Sequence, residues 1–253
     1  MHRFFVAPES VGEGTLRIAG EDYRHLSKVL RIGPGEAFEV CDGQGTEHIC
    51  TIDQDDGGGV NCRIIETKPC SSENTLRITL FQGLPKGQKM DEIIQKSVEL
   101  GVDGVIPFSS KRTVVDLRDK GKKKAERWNK IAYAAAKQSK RGIIPAVHEP
   151  LTMGAVLEQI SRYDLFLVAY EDERGQGLAQ VLTSGEKKPM TMGILVGPEG
   201  GLAEEEVAAM TASGANSISL GRRILRTETA GPAVLASLNL FYELVEFGCI
   251  KEQ

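Results

Sequence analysis

This sequence of 253 residues lacks paired cysteine motifs, long apolar runs and a strong overall charge. Its five cysteines include no CxxC spacing, so neither a disulfide framework nor a metal site is expected. No apolar run approaches the roughly 18 residues of a membrane helix. The N-terminal segment meets Pro8 and Glu9 too early to form a signal peptide. We therefore expect a cytoplasmic protein that uses neither a metal nor a membrane.

Two common nucleotide-binding fingerprints are also missing. No GxxxxGK[ST] segment is present, which disfavours a P-loop NTPase. No GxGxxG follows an early strand, which leaves a dinucleotide-binding fold without support. The four histidines are scattered at positions 2, 25, 48 and 148 and suggest no metal centre.

Positive charge is concentrated in one segment although the chain sums to −4. Residues 111–141 hold three acidic residues and twelve basic ones, which are Lys111, Arg112, Arg118, Lys120, Lys122, Lys123, Lys124, Arg127, Lys130, Lys137, Lys140 and Arg141. Such a segment is either a solvated helix face or a stripe that counters nucleic-acid phosphates. Trp128 and Tyr133 lie within it and could stack on bases or pack in the core.

The pattern of apolar residues along the sequence predicts two domains. Residues 1–70 alternate in short strands and turns, with one helix near 22–30, which is typical of a small β-barrel. From residue 75 onward, apolar strands alternate with helical patterns, which indicates an α/β domain with a parallel sheet at 75–253. The basic segment forms a long helix at about 119–140, and a closing helix begins at Ala233, with Pro232 in its first turn.

Two strand-to-helix loops near the C-terminus carry the most information. The strand 193–196 runs into Gly197-Pro198-Glu199-Gly200-Gly201, and the strand 217–220 runs into Gly221-Arg222-Arg223-Ile224-Leu225-Arg226. Glycines let a ligand touch the main chain, and the following helix offers free N–H groups. The two loops could form a backbone-lined pocket, or each could be only a tight turn. The arginines could bind anions or pair with helix acids.

These loops, with several other segments, resemble the RsmE family of the SPOUT superfamily, the 16S rRNA (uracil-N3) methyltransferases. The matching segments are Gly197-Pro198-Glu199-Gly200-Gly201, Leu220-Gly221-x-Arg223-Ile224-Leu225-Arg226-x-Glu228-Thr229, Lys86-Gly87-x-x-Met90, Ile94-Gln95-Lys96-x-x-Glu99-Leu100-Gly101-Val102, Ser110-x-Arg112, Trp128-x-Lys130-Ile131, Gln138-Ser139-x-Arg141 and His25-Leu26-x-Lys28-Val29-Leu30-Arg31. The likeness spans nearly the whole chain. One departure is Ala134, where some relatives carry a glutamate.

The resemblance implies a fold and a reaction. It implies a PUA-like RNA-binding β-barrel at 1–70 and an α/β SPOUT domain with a deep trefoil knot at 75–253. It implies a homodimer that binds S-adenosylmethionine and methylates uridine N3 in 16S rRNA of the small ribosomal subunit. The cofactor is then expected to contact Val196, Gly197, Glu199, Gly200, Leu220, Ile224, Leu225 and Thr229.

Uridine N3 must lose its proton before it can accept a methyl group, and the negative charge then spreads onto the flanking carbonyl oxygens. Arg226 or Arg112 is expected to stabilise that charge. Glu228 is a candidate general base or water-orienting group, although an ion pair with Arg223 would explain it equally well.

The basic residues supply the expected RNA contacts. They are Arg3, Arg24, His25, Arg31, Lys122, Lys123, Lys124, Lys130, Lys137 and Arg141, and His25 could instead be a core histidine. Two other functions stay open: a non-catalytic RNA-binding or ribosome assembly factor with a vestigial pocket, and a nucleotide- or phosphate-binding α/β enzyme. The residues alone do not identify the target nucleotide, the general base, the dimer contacts, or whether the substrate is naked RNA or an assembled particle.

Overall fold

The computed structural model describes residues 3–113, 121–184 and 188–249. The chain divides into two compact units. Unit 1 combines Met1–Glu73 with Ala136–Ile144, and unit 2 holds Asn74–Ala135 and Pro145–Gln253. The predicted boundary placed the segment 136–144 in the C-terminal domain. Arg118 and Lys120 of the basic segment, and His2, lie outside the described residues.

Unit 1 is built on a five-stranded sheet in the order β1-β3-β4-β5-β2, which curls into a half-barrel. Its strands are β1 (Arg3–Phe5), β2 (Thr15–Ala19), β3 (Phe38–Cys41), β4 (Thr46–Asp55) and β5 (Gly59–Pro69). Two register shifts between β4 and β5, after Ile49 and after Ile52, bend these long strands. Alternate side chains face inward, so that Phe4, Phe38 and Val40 fill the core.

A short helical segment follows β2 in unit 1, near the place that the sequence predicts. Helix α1 (Gly20–Arg24) continues into a π-helical turn, His25–Leu30. This turn ends at Arg31, whose φ of 53° is rare for a residue with a side chain. Leu26 points into the core, whereas Arg24 and Arg31 are exposed.

Unit 2 contains a parallel sheet in the order β12-β10-β11-β6-β7-β8, with β9 beside β7. Its strands are β6 (Arg77–Gly83), β7 (Gly104–Ser109), β8 (Ala146–Val147), β9 (Leu151–Thr152), β10 (Leu165–Ala169), β11 (Thr191–Val196) and β12 (Asn216–Ile218). The central strands are almost wholly apolar and buried, as a parallel sheet requires. The predicted parallel α/β architecture is therefore confirmed.

Five α-helices lie wholly within the described residues of unit 2. They are α2 (Lys89–Glu99), α4 (Met153–Leu157), α5 (Leu178–Ser184), α6 (Glu204–Ala212) and α7 (Thr227–Glu246). Val156 of α4 and Val207 and Met210 of α6 are buried with Phe81, Phe108 and Phe166 in one hydrophobic core cluster of the unit. The basic segment forms α3 (Gly121–Gln138), close to its predicted position. Trp128 is 3% exposed, so it packs in the interior and does not offer its ring to a base.

The closing helix begins six residues earlier than predicted. The sequence suggested Ala233, with Pro232 in the first turn, but α7 starts at Thr227 and carries Pro232 inside it. A proline inside a helix removes one backbone N–H and crowds the carbonyl four residues earlier, which is why the sequence placed it in the first turn. Because α7 starts at Thr227, Glu228 lies in a helical first turn and not in a loop.

Candidate functional site

A cleft of about 840 Å³ opens in unit 2 beside the carboxyl ends of three adjacent parallel strands. Its walls come from the segments that follow β10, β11 and β12, together with the start of α7. Ligands of open parallel sheets bind in this position, because the loops after neighbouring strands meet there. The two glycine-containing loops singled out in the sequence therefore lie together.

Close backbone packing shapes the loop of residues 197–201. A Cβ on Gly83, at the end of β6, would lie 2.5 Å from the backbone nitrogen of Pro198. Gly201 has a φ of 69°, and a Cβ there would lie 2.1 Å from a carboxylate oxygen of Glu171. The loop therefore needs glycine at both positions, one within it and one in the strand beneath it.

Thr227 joins this loop to α7. Its hydroxyl donates to the carbonyl oxygen of Gly197 at 2.7 Å and accepts from Nε2 of Gln82 at 2.9 Å. Both Thr227 and Gln82 are buried. Three elements, β6, the glycine loop and α7, are thus fixed at one point under the cleft.

A lysine and two carboxylates form an ionic cluster on the wall of the cleft. Nζ of Lys89 lies 3.0 Å from Oε1 of Glu199 and 3.2 Å from Oε2 of Glu228. The sequence offered Arg223 as the ion-pair partner of Glu228, and the structure corrects this to Lys89. The two nearby carboxylates raise the pKa of Lys89, because they favour its charged form.

Both carboxyl groups in the cluster have pKa values below the ordinary value. Partial burial alone would raise the pKa of Glu199, but backbone N–H groups and Lys89 outweigh it. The backbone N–H of Glu228 has the largest effect on the pKa of its carboxyl group and lowers it. Burial opposes this, and the charges of Lys89 and Arg226 lower the pKa further. Both groups are therefore ionised at neutral pH.

Three arginines line the cleft on the segment after β12. Arg222, Arg223 and Arg226 are exposed, and among the described residues none of them forms a salt bridge. The suggestion that they pair with helix acids is therefore not supported within this part of the chain. Their charge is available to an anionic group entering the cleft.

The structure brings together most of the predicted site residues. The cleft is lined by Val196, Gly197, Glu199, Leu220, Ile224, Leu225, Arg226 and Glu228. Gly200 and Arg112 instead line a smaller adjoining cavity of about 180 Å³, where Nη1 of Arg112 donates to the Gly200 carbonyl at 3.1 Å. Thr229 is exposed in the first turn of α7 and lines neither cavity.

Five of the ten residues predicted to contact RNA are exposed. They are Arg24 and Arg31 in unit 1 and Lys122, Lys123 and Lys130 on α3. Lys124 is partly buried, with its ammonium 5.9 Å from the centre of the Trp128 ring. His25 is partly buried as well and packs edge-on against Phe4, with ring centres 6.1 Å apart.

Three other residues predicted to bind RNA form ion pairs inside unit 1. Arg141 is 3% exposed and forms a bidentate ion pair with Glu73. Arg3 pairs with Glu39 and Glu47, and Lys137 pairs with Asp22. These contacts account for the three positive charges without a phosphate partner.

One cluster in unit 1 has the residue types of a metal site. The ligand atoms of Cys41, Glu47 and Cys70 lie within 4.8 Å of one another, and all three residues are buried. However, the guanidinium of Arg3 pairs with Glu47 and donates to Sγ of Cys70 at 3.3 Å. Burial also raises the pKa of Cys41 to about 12. A fixed cation already balances this cluster.

Sequence reasoning missed several residues that line the cleft. Lys89 begins α2, and Tyr170, Glu171 and Arg174 follow β10. The position after β10 could have been found, because the loops after neighbouring parallel strands share one edge. Lys89 had no comparable signal, since its partners are more than a hundred residues away in the sequence.

No helix in the described ranges is long and apolar enough to span a membrane.

Comparison with known families gives matches over both units. Residues 72–239 match the model of the RNA methyltransferase domain, and residues 18–65 match that of the RNA methyltransferase PUA domain. The ribosomal RNA small subunit methyltransferase E of Bacillus subtilis (strain 168) is 37% identical over 252 residues, which cover 97% of this chain and 98% of the relative. The protein of the same name from Synechocystis is 31% identical, over 96% of this chain and 78% of the relative.

Solved structures are similar over nearly the full length. A crystal structure of a ribosomal RNA small subunit methyltransferase E from Neisseria gonorrhoeae, bound to S-adenosylmethionine, has a TM-score of 0.81 and 31% identity, covering 95% of this chain and 98% of that one. A putative methyltransferase from Legionella pneumophila, also in complex with S-adenosylmethionine, has a TM-score of 0.78 and 28% identity, covering 94% and 97%.

Proposed function

We propose, because the chain belongs to the ribosomal RNA small subunit methyltransferase E family, that it methylates N3 of a uridine in 16S rRNA. S-adenosylmethionine is the methyl donor, as the complexes of similar proteins indicate. The observation that carries the proposal is the cleft formed by the loops after β10, β11 and β12.

The residues of the cleft fit this donor. Main chain near Val196, Gly197 and Leu220 can accept and donate hydrogen bonds to the adenine and ribose, and the apolar side chain of Leu225 can contact the ring. The exposed arginines after β12 suit the donor's carboxylate, and Glu171 suits its ammonium group. A zwitterionic ligand therefore finds both signs of charge in one cleft.

The chain's own residues then prepare the uridine. When bound, S-adenosylmethionine would supply an electrophilic methyl group, and its sulfur would be the leaving group as a neutral thioether. Arg226 stabilises the negative charge that develops on the uracil carbonyl oxygens as the N3 proton departs. Glu228 has a lowered pKa and is ionised, so its carboxylate can accept this proton through one water, which takes the N3 proton and passes its own to the carboxylate. Arg112 borders the adjoining cavity and is the second candidate for binding a carbonyl oxygen.

Exposed cations of both units supply the RNA contacts. On α3 these are Lys122, Lys123 and Lys130, and in unit 1 they are Arg24 and Arg31. Phosphate contacts of this kind position an RNA without reading its sequence. Recognition of one uridine then depends on the cleft and on the shape of the surrounding RNA.

The family also favours three finer features. We propose that unit 2 threads a deep trefoil knot, that two copies associate, and that the protein works in the cytoplasm on ribosomal RNA. Exposed apolar side chains on and after α7 support association, since Leu240 is 58% and Phe247 is 78% exposed. A dimer would cover such residues.

The test is methyl transfer from deuterium-labelled S-adenosylmethionine to small subunits purified from cells that lack this modification. Nucleoside mass spectrometry should identify labelled N3-methyluridine, and mass spectrometry of nuclease fragments should place the label at one position. The same donor should bind in calorimetry with one site per chain. A protein that binds the subunit but transfers no label would be an assembly factor with a vestigial pocket, which contradicts the proposal.

A further inference from the structure

Lys89 occupies a position that the local physics of a helix disfavours. It is the first residue of α2, where the helix end carries partial positive charge and acidic residues are favoured. Asp91 and Glu92 in the same turn follow that preference. A residue that is locally unfavourable but has partners on other elements usually has a role in tertiary packing or in a functional site.

The partners of Lys89 come from two separate walls of the cleft. Glu199 belongs to the glycine loop after β11, and Glu228 belongs to the first turn of α7. Both carboxylates lie within 3.2 Å of the same ammonium nitrogen, so their nearest oxygens are about 6 Å apart at most. Two like charges at this distance repel unless a cation lies between them.

The two carboxylates are not held equally well. Glu199 also accepts from the backbone N–H of Lys86, at 3.1 and 3.2 Å. Among the described residues, Lys89 is the one salt-bridge partner of Glu228. Arg226 precedes Glu228 by two residues in the sequence and lowers the pKa of Glu228 through its charge alone. Without Lys89, Glu199 would keep its anchor, and Glu228 would be the group that moves.

We propose that Lys89 is a positioning residue for methyl transfer, which holds the Glu228 carboxylate against Glu199 at the wall of the cleft. This inference rests on the proposed function and adds to it a residue that acts through another one. Lys89 makes no bond to the reacting atoms in this account. It holds the Glu228 carboxylate in place, so that this carboxylate can accept the N3 proton through one water.

A double-mutant cycle tests the inference. The variants are Lys89→Met, Glu228→Gln, the two combined, and Lys89→Arg, each compared with the unaltered protein. The measurements are kcat for methylation of small subunits, the dissociation constant of S-adenosylmethionine, and the thermal midpoint. We expect Lys89→Met to lower kcat by about 10²-fold, since displacement of a catalytic group by about 1 Å has this effect.

Non-additivity is the decisive result. The double variant should be no slower than Glu228→Gln alone, and Lys89→Arg should recover most of kcat, because arginine restores the cation. A merely structural role would lower kcat equally in both backgrounds, together with the thermal midpoint, and would overturn the inference. So would unchanged activity of either single variant. If the unaltered protein transferred no methyl group, the proposed function itself would fail, which is a distinguishable result.

Discussion

Gly83 shows how one small residue fixes the geometry of the cleft. It lies in an ordinary strand conformation, so its backbone does not require glycine, but a Cβ would meet the backbone of Gly197 and Pro198 at 2.5 to 2.8 Å. Overpacking of this kind typically costs about 1–3 kcal/mol. Here the cost falls on the loop that forms one wall of the cleft.

We expect Gly83→Ala to weaken S-adenosylmethionine binding by at least about tenfold, because the loop must move away from β6. Calorimetric titration of the donor measures this. Gly104→Ala is the matched control, since Gly104 lies in a strand of the same sheet and an added Cβ there would make only an ordinary contact at 3.5 Å. Equal affinity of the two variants would contradict the expected role of Gly83.

Arg226 is the residue expected to stabilise the developing charge on uracil. Arg226→Ala should lower kcat by about 10²–10³-fold, as removal of one such donor does in other enzymes. Its effect on the thermal midpoint should be small, since the side chain is exposed. Arg162→Ala, at an exposed arginine remote from the cleft lining, should leave kcat unchanged. A folded Arg226→Ala protein with full activity would remove Arg226 from the mechanism.

Individual residues also show which parts of the site could be predicted from the sequence and which could not. Glycine spacing after a strand predicted the loop 197–201, because that signal is local. Lys89 and Gly83 act through partners distant in sequence, and nothing in their neighbourhood indicates this. Arg3 and Arg141 carried the expected charge for RNA, but acids brought close by folding neutralise them. Charge type is visible in a sequence, whereas the partner of a charge is not.

At the scale of elements, the segment after α3 is held to unit 1 by a buried ion pair. Glu73 accepts from Arg141 at 2.7 Å and from the backbone N–H of Gly142. Burial alone would raise the pKa of Glu73, but the Arg141 guanidinium and the backbone donors outweigh it and lower the pKa. Glu73 is therefore ionised at neutral pH and joins the segment 136–144 to the end of β5.

This pair makes stability depend on pH. A carboxyl pKa lowered by folding stabilises the folded state above the ordinary value of 4.5, and this stabilisation is lost as the pH falls through the folded-state value. Glu73→Gln should therefore cost about 3 kcal/mol at pH 7 and less at a pH well below 4.5. Urea unfolding at the two pH values measures this. Glu66→Gln, at an exposed carboxylate, is the control, and the same loss at both pH values would contradict the account.

The exposed lysines of α3 give a prediction for RNA binding. Replacing Lys122, Lys123 and Lys130 with serine should weaken binding to small-subunit RNA, and the slope of log affinity against log salt should fall by about one for each phosphate interaction removed. Filter binding at several salt concentrations measures the slope. Lys96→Ser, on α2, should not change it. An unchanged slope in the triple variant would show that these lysines form only a solvated helix face.

Elements were easier to predict than their ends. The apolar strands and the basic helix follow from hydrophobic patterns that extend over many residues. The start of α7 was missed because Pro232 suggested a first turn, although Thr227 is itself a suitable residue for a helix start. Its hydroxyl is used instead on Gly197 and Gln82. The first residue of α7 therefore also connects the helix to the glycine loop and to β6.

At the scale of the whole molecule, one claim supports the rest: the loops after β11 and β12 together enclose a methyl donor. The loops meet in the structure, and the relatives with known complexes bind S-adenosylmethionine. The roles of Lys89, Arg226 and Glu228 all depend on where that donor lies.

A crystal structure of this protein with S-adenosylmethionine is the most direct measurement. The donor should lie between residues 197–201 and 220–226, with its methyl group facing Arg226 and Glu228. A donor bound at another place, or the same two loops separated around an empty cleft, would contradict this placement.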